Sequence, residues 1–417
     1  MPSLYAPQAE SFLNTVVNVP MNSSVDVLAP KWRTPQIFLL ACVFVMSFTF
    51  ATWQVLLNNF VIERANFTGV EIGVLQSLRE VPGFLAFTAV FVLLILREHY
   101  FALLSLLTLC VGVALTGFFP TALGLYCTTV LMSIGFHYFE TINKSLTLQW
   151  IDKAETPHFM GRALAIKAVG SLGAYAMIWL AMEWMGVDYV WMYLITGTIG
   201  FMVVLVLFAK FPDFNQGVVQ TKKLLVRKRY WLYYALVMLS GARRQIFVVF
   251  AGFMMVEKFG YTVGQISSLF IINYIFNFFF AARIGKWIGV IGERNALVIE
   301  YVGLIFVFTG YAFVTHAQFA AALYVIDHLF FAFAIAISTY FQKIAQKEDI
   351  AATASVSFTI NHIAAVVIPV LLGMVWIVSP AAVFFVGVGL AVGSLVLSLN
   401  IPARPDIGNE VRVGKVG

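Results

Sequence analysis

Charged residues are scarce in this sequence: Asp, Glu, Lys and Arg make up 11% of its 417 residues, whereas soluble globular domains contain about 25%. Hydrophobic residues reach 61%, with 40 Phe, and the mean hydropathy is +0.90. So little charge excludes a soluble globular domain. The composition therefore predicts an all-α polytopic membrane protein, with the lipid bilayer as its surroundings.

Cysteine is also rare, and the motifs of common enzymes are missing. Cys42, Cys110 and Cys127 all lie in apolar runs, and their odd number and lack of metal-type spacing argue against a disulfide framework and a metal site. The sequence has no glycine-rich phosphate loop, no His-Glu-x-x-His pair and no nucleophile elbow in a strand–turn–helix setting. We therefore predict no enzyme activity, no metal and no cofactor.

Long apolar runs separated by short polar breaks predict twelve membrane-spanning helices, because a bilayer requires about 20 apolar residues per helix. The first six runs are 35–58, 70–96, 100–118, 121–148, 161–183 and 189–209. The second six are 230–256, 263–283, 295–314, 318–342, 352–374 and 380–399. Membrane strands are excluded, since the runs are too long and do not alternate.

The two sets of six helices resemble each other in sequence. A shift of 191 residues places Ala51-Thr52-Trp53-Gln54 on Ala242-Arg243-Arg244-Gln245 and His137 on His328. The same shift aligns 73–78 with 264–269, so one duplicated six-helix unit is predicted. We divide the chain into an N-terminal tail, a first bundle, a basic linker, a second bundle and a C-terminal tail, with the bounds 1–34, 35–209, 210–229, 230–400 and 401–417.

Lysine and arginine concentrate in alternate loops. The linker carries five of them between Lys222 and Arg229, and the C-terminal tail carries three, whereas the loops 117–120 and 378–380 carry none. Basic loops stay in the cytoplasm, so with an even number of spans both termini are predicted to be cytoplasmic. This clustering explains the net charge of +6 without nucleic acid, and the short loops suggest a bacterial inner membrane.

Over about residues 31–402 the chain resembles the major facilitator superfamily: six spans, a basic linker and six more spans. The family's signature after the second span is replaced here by Arg97-Glu98-His99-Tyr100, and a degenerate form appears in the second half at 285–294. The fifth span has Gly170-Ser171-Leu172-Gly173 but not the proline-containing glycine motif of the family's drug/proton antiporters. No subfamily is identified.

The resemblance implies a secondary transporter in which the two halves alternate access to a mid-membrane site. It further implies that the first, second, fourth, fifth, seventh, eighth, tenth and eleventh spans line the cavity. Ionisable residues recur on these spans, and such residues within a bilayer usually face a cavity or a partner.

Arg243 and Arg244 lie near the middle of the seventh span. Because neighbours on a helix point about 100° apart, we expect one to bind an anionic group of the solute and the other to pair with Glu80, Glu140 or Asp327. A planar guanidinium suits a carboxylate or phosphate. The alternative is that both arginines pair with acidic residues and only hold helices together.

Other polar residues of the spans can likewise be interpreted either as facing the cavity or as pairing with a neighbouring residue. Arg79 and Glu80 should point in different directions, one to the cavity and one to a neighbouring helix. Glu140 either pairs with Lys144 or belongs to a polar stripe with His137. The complete set of predicted solute-binding residues is Arg243, Arg244, Gln245, Thr52, Gln54, Arg79, His137, Tyr138, Asn273, Asn277 and Asn361.

Protons are the predicted coupling ion, since a desolvated carboxylate or a histidine can exchange one with the cavity. The predicted proton carriers are Glu80, Glu140, Asp327, His328 and His362. The predicted salt-bridge or gating residues are Lys144, Lys167 and Glu300, with Lys167 and Glu300 placed near the cytoplasmic face.

The sequence thus predicts a proton-coupled carrier of a small organic solute with an anionic group, functional as a monomer. In the expected mechanism, an arginine holds an acidic residue until the solute arrives, and the freed carboxylate then takes a proton. The alternative is a proton-driven exporter of cationic or amphipathic drugs. A minor alternative is a non-transporting membrane sensor or intramembrane enzyme.

Overall fold

The protein is described here by a computed structural model over residues 32–151, 155–212, 214, 226–346 and 349–414, and these residues form helices without any strand. The helices of the first half are α1 (Pro35–Ala65), α2 (Gly69–Phe84, continued by Leu85–Thr88 and Ala89–Val92), α3 (Glu98–Thr116), α4 (Ala122–Trp150), α5 (Thr156–Trp179, continued by Leu180–Trp184) and α6 (Tyr189–Lys210). Residues 1–31 of the predicted tail 1–34 and most of the predicted linker 210–229 lie outside the described residues.

The described residues of the second half form six further helices, some of them continued by short helical segments. They are α7 (Trp231–Gln245, continued by Ile246–Ala251 and Gly252–Glu257), α8 (Val263–Ile291), α9 (Glu293–Phe313), α10 (Ala317–Phe331, continued by Ala332–Ala334 and Ile335–Ile344), α11 (Ile350–Val378) and α12 (Pro380–Ser398). Within the described residues, all of the helices α1–α12 except α2 and α8 are long and apolar enough to cross a membrane. The predicted all-helical membrane fold is confirmed.

The second helix of each half begins with the same N-terminal capping motif. Thr68 and Glu71 form a capping box at the start of α2, and Thr262 and Gln265 form one at the start of α8. Each box satisfies backbone N–H groups that a helix start would otherwise leave unpaired. The two boxes are 194 residues apart, three more than the shift of 191 that aligns the segments 73–78 and 264–269, so they mark corresponding helix starts in the two halves without matching residue for residue.

Large apolar side chains cover the outer surface of both bundles. Phe208 on α6 is 58% exposed, Phe306 on α9 is 72% exposed and Val396 on α12 is 62% exposed. A soluble protein rarely exposes so much contiguous apolar surface, and such a surface marks contact with a membrane.

The two halves meet mainly along two helix pairs, α2 with α11 and α5 with α8. Small residues permit the close approach of the first pair: a side chain at Gly73 would collide with the Pro369 carbonyl, and one at Gly373 with the backbone of Gly69. The Val370 N–H also donates to the Ser77 hydroxyl at 3.1 Å.

We call the end that carries residues 226–230 and 399–414 the terminal end, and the opposite end the far end. At the far end the halves are hydrogen-bonded to each other. The Asn59 amide donates to the Tyr261 carbonyl at 2.7 Å, and the Glu183 carboxylate accepts from the Thr262 hydroxyl at 2.6 Å and the Gly264 N–H at 3.0 Å. These contacts close the far end in this conformation.

The C-terminal segment docks on the terminal end of the second half. The Arg229 guanidinium contacts the Glu410 carboxylate at 2.6 Å, and the Tyr340 hydroxyl donates to the Glu410 carbonyl at 2.6 Å. Burial alone would raise the pKa of Glu410, but the Gly408 N–H and the Arg229 guanidinium outweigh it and hold that pKa below its ordinary value. The segment is therefore fixed to the bundle by charge as well as by packing.

Candidate functional site

A cavity of about 610 Å³ lies between the two halves, which is within the range of small-molecule sites, roughly 300–1,000 Å³. Its walls come from α1, α2, α4 and α5 of the first half and from α7, α8, α10 and α11 of the second. These are the eight helices that the family resemblance implied.

Most of the predicted site residues border this cavity. They are Gln54, Arg79, Glu80, His137, Glu140, Lys167, Arg244, Gln245, Asn273, His328, Asn361 and His362. The predicted residues outside the lining are Thr52, Tyr138, Lys144, Arg243, Asn277, Glu300 and Asp327. The structure thus separates the two arginines of α7.

Arg243 is buried inside the second half and is 2% exposed. Its Nη2 lies 3.5 Å from Glu300 Oε1, and its guanidinium lies 4.3 Å from the centroid of the Tyr301 ring. Asp327, with 0% exposure, interacts electrostatically with both Arg243 and Glu300. Arg243 therefore joins α7 to α9 and α10, and the structure does not present it to a solute.

Glu300 is 1% exposed and pairs with Arg243, so it forms a salt bridge, one of its two predicted roles, and does not extend to the surface. The expectation that Asp327 exchanges protons with the cavity is corrected. Asp327 faces the interior of the bundle, whereas His328 borders the cavity, because consecutive helical residues point in different directions. Asp327 is therefore shielded from the cavity.

Arg244 faces the cavity and is exposed there. Lys167, on α5 of the other half, is likewise exposed in the cavity wall, where a position near the surface had been expected. Within the described part of the chain, neither side chain has a carboxylate within 4.0 Å. Glu80 and Glu140 influence Arg244 only from a greater distance. The cavity thus holds two cations without a contacting counter-charge.

Arg79 and Glu80 contact each other, contrary to the expectation that they point to different partners. Arg79 Nε donates to Glu80 Oε1 at 3.0 Å, and a second guanidinium nitrogen reaches the same oxygen. The long, flexible arginine side chain turns back along α2, so the angle between the two Cα–Cβ bonds does not keep the charges apart. Both residues border the cavity as an ion pair.

The second oxygen of Glu80 points to a histidine of the other half. Glu80 Oε2 lies 3.7 Å from His362 Nε2, and the rings of His362 and His137 meet edge to face with centroids 5.2 Å apart. His362 Nδ1 lies 2.9 Å from the Phe358 carbonyl, so Nδ1 carries a proton, and Nε2 is the nitrogen that faces Glu80.

Glu80, His137 and His362 each offer one ligand atom, and these atoms lie within 4.8 Å of one another. Zinc accepts two imidazoles and a carboxylate. However, the Arg79 guanidinium is paired with this carboxylate, and its positive charge opposes the binding of a metal cation. The group suits the exchange of a proton better, because each member can carry one.

The other predicted residues outside the lining have local partners. Lys144 Nζ lies 3.8 Å from Glu140 Oε1. This is the ion pair given as one of the two interpretations of Glu140. The Asn277 amide lies 2.8 Å from His328 Nε2 and holds that ring. Tyr138 bonds to the hydroxyl of Thr88. The Thr52 hydroxyl donates to the Phe48 carbonyl of its own helix at 3.1 Å.

The sequence interpretation missed the aromatic part of the lining. These side chains are Phe50, Trp53, Phe136, Tyr175, Phe247, Phe270, Tyr274, Tyr324, Phe331 and Phe358. It also missed the polar lining residues Ser47, Asn58, Gln76 and Ser171. Aromatic residues make up 16% of the chain and occur on lipid-facing surfaces as well, so little in the pattern distinguishes the lining ones. Gln76 and Trp53 had one signal, their positions inside the repeated segments 73–78 and 51–54.

A family model described as Major Facilitator Superfamily matches residues 37–369. No curated protein matches the chain in sequence. Solved structures that resemble it include the nucleoside transporter NupG (15% identity, TM-score 0.72, covering 88% of this chain and 98% of that one). A bacterial homolog of the human lysosomal transporter Spinster, inward-facing and unoccupied, has 14% identity and a TM-score of 0.67, covering 88% and 95%.

A third similar structure is a POT family transporter in complex with 5-aminolevulinic acid (14% identity, TM-score 0.64, covering 87% of this chain and 94% of that one). At such low identities these likenesses establish the fold and leave the solute open.

We expect Arg243→Ala to lower the free energy of unfolding by about 3–5 kcal/mol, because Glu300 would keep a buried carboxylate without its counter-charge. Adding Glu300→Gln should recover part of the loss. Arg244→Ala is the matched control one residue along α7, and it should unfold near the wild-type temperature. Thermal unfolding of the detergent-purified proteins measures all three, and equal losses for the two arginines would contradict the assignment.

Proposed function

This chain belongs to the major facilitator superfamily, and we propose that it is a proton-coupled transporter of a small organic solute with an anionic group. The observation that carries the proposal is a pair of cavity cations, Arg244 and Lys167, that contact no carboxylate among the described residues. By contrast, Arg79, Lys144 and Arg243 each contact a carboxylate. A solute carboxylate or phosphate would supply the missing charge, and arginine can bind either in a bidentate manner.

The positions of the two cations also provide a link to alternating access. Lys167 belongs to α5 in the first half and Arg244 to α7 in the second. An anion held by both would interact with the two halves at once. A solute can drive a conformational change only if it binds one state better than the other, and contacts to both halves would depend on how the halves are placed. The far-end hydrogen bonds would break in the opposite state.

The Glu80 group is our candidate for proton coupling. In the empty cavity Arg79 holds Glu80 as an ion pair. An arriving anion would compete for Arg79, and the released Glu80 would then accept a proton from the cavity or from a neighbouring histidine. Because Glu80 also faces His362 across the interface, neutralising its charge would weaken one contact between the halves.

In this scheme the transporter functions as a monomer, because both halves of the cavity come from one polypeptide. A cation exporter is less consistent with the lining, since Glu80 and Glu140 already contact cations while Arg244 and Lys167 would repel a cationic drug. A sensor or intramembrane enzyme would bind or convert a ligand without moving it across the membrane.

We expect Arg244→Ala to lower the affinity for the transported anion roughly 10- to 100-fold, since a hydrogen bond to a charged group contributes about 1.5–3 kcal/mol. The measurement is internal pH in proteoliposomes on addition of organic anions and, separately, organic cations. Arg283→Ala on α8 is the control, because Arg283 is exposed outside the cavity lining. A response to cations that survives Arg244→Ala would replace this proposal with the drug-exporter alternative.

We expect Glu80→Gln to abolish solute-driven pH changes while exchange of labelled solute across the membrane continues, because exchange requires no net movement of protons. Gln keeps the size of the side chain and removes its charge. Glu155→Gln, at an exposed position outside the cavity lining, is the control. Full pH changes in the Glu80→Gln protein would exclude Glu80 as the coupling residue.

We also propose that the terminal end faces the cytoplasm of a bacterial inner membrane, on the basis of the basic linker and tail. A cysteine introduced by Arg404→Cys at this exposed position, in a Cys127→Ser background where Cys42 and Cys110 remain but are buried, should react with a membrane-impermeant maleimide in inverted vesicles. Labelling from outside intact cells would show the reverse orientation.

A further inference from the structure

We propose that the transported anion is an aryl carboxylate, whose ring lies between two aromatic walls while its carboxylate reaches Arg244 and Lys167. This inference rests on the proposed anion transport and names the class of its substrate. Three features of the cavity support it: the arrangement of the aromatic side chains, the unpaired amides, and the position of the cations.

The first aromatic wall is formed by Tyr175, Phe247, Phe270, Tyr274, Tyr324 and Phe331. These rings contact one another in a continuous series across four helices. The Tyr175 and Phe270 centroids are 5.2 Å apart, those of Phe270 and Tyr324 are 6.3 Å apart, and those of Phe247 and Tyr324 are 4.8 Å apart. Such spacings are typical of favourable ring pairs.

The second aromatic wall is formed by Phe50, Trp53, Phe136 and Phe358, joined through His137 and His362. The Phe50 and Phe136 centroids are 4.3 Å apart, and those of Phe358 and His362 are 4.2 Å apart. Each wall draws on both halves: Tyr175 adds the first half to the first wall, and Phe358 and His362 add the second half to the second. A planar ring in the cavity would therefore contact both halves.

Buried amides in the lining have oxygen atoms without a partner. Gln76, Gln245 and Asn273 are 3%, 4% and 3% exposed, and the Oε1 or Oδ1 of each has no hydrogen bond within the described structure. These oxygens lie within the wall, where buried polar atoms are normally paired, so a rotation of the amides towards the cavity would let them pair with polar substituents of a bound solute. Hydroxyl or amino groups on the aryl ring would supply the donors.

The cations set the charge of the solute, and the walls set its shape. A saturated ring of the same size could fill the same space, but its hydrogens lie above and below the mean plane and prevent close stacking. An aryl ring presents flat faces and a positive edge to the surrounding rings. The Arg244 guanidinium can also pack on an aromatic face.

The test compares four ligands of similar size: benzoate, 4-hydroxybenzoate, cyclohexanecarboxylate and benzyl alcohol. Binding to the detergent-purified protein is measured by calorimetry, which avoids the passive leak of weak acids through a bilayer. We expect benzoate to bind roughly tenfold more tightly than cyclohexanecarboxylate, 4-hydroxybenzoate to bind more tightly still, and benzyl alcohol to bind least.

Two variants separate the ring from the charge. Tyr274→Leu should bring the affinities for benzoate and cyclohexanecarboxylate close together while the preference for anions over benzyl alcohol remains. Phe270→Leu is a second variant of the same wall in case the first is unstable. Phe276→Leu, on α8 but outside the cavity lining, should leave both preferences unchanged.

The possible outcomes distinguish the preference for an aryl carboxylate from the proposed anion transport on which it rests. Equal binding of benzoate and cyclohexanecarboxylate by the wild-type protein would overturn the aryl preference and leave anion transport standing. Preferential binding of benzyl alcohol, or of no anion at all, would overturn both. Retention of the benzoate preference in both wall variants would show that the first aromatic wall does not select the ring.

Discussion

A charge inside a bilayer must be compensated by another charge, by hydrogen bonds or by water, and this constraint organises the structure. Arg243 and Glu300 compensate each other within the second half. Arg79 and Glu80 do so at the cavity wall. Arg244 and Lys167 are left to the water or the solute of the cavity. Arg243 therefore serves to hold the helices together, whereas Arg244 and Lys167 remain available to a ligand.

The contacts between the two halves also depend on where charged groups lie. At the far end, the halves are connected by the neutral hydrogen bond from Asn59 to Tyr261 and by the hydrogen bonds that the Glu183 carboxylate accepts, and no ion pair joins the halves there among the described residues. In the cavity lining, Glu80 faces His362, whose charge depends on protonation. A protein that alternates between two states needs interfaces whose two arrangements differ little in free energy, and weak or titratable contacts meet that need better than permanent ion pairs.

Much of the fold was predictable because a membrane restricts the choice of structure. Long apolar runs predict helices, since the bilayer core cannot hydrogen-bond an exposed backbone, and the twelve predicted runs correspond in order to α1–α12. The candidate site was predictable in part, because intramembrane charge is costly and so draws attention to residues such as Glu80 and Arg244. The aromatic lining was not predictable, because rings such as Tyr274 and lipid-facing Phe279 look alike in sequence.

Local composition and periodicity were enough to predict the helical membrane class, the duplicated halves and the set of polar residues within the spans. The partner of each charge depends instead on how the helices pack. Arg243 and Arg244 are chemically identical and adjacent, and the rotation of α7 places one against Glu300 and the other in the cavity. Likewise, Glu80 meets His362 only because α2 packs against α11, a contact between residues 282 positions apart that no local pattern records.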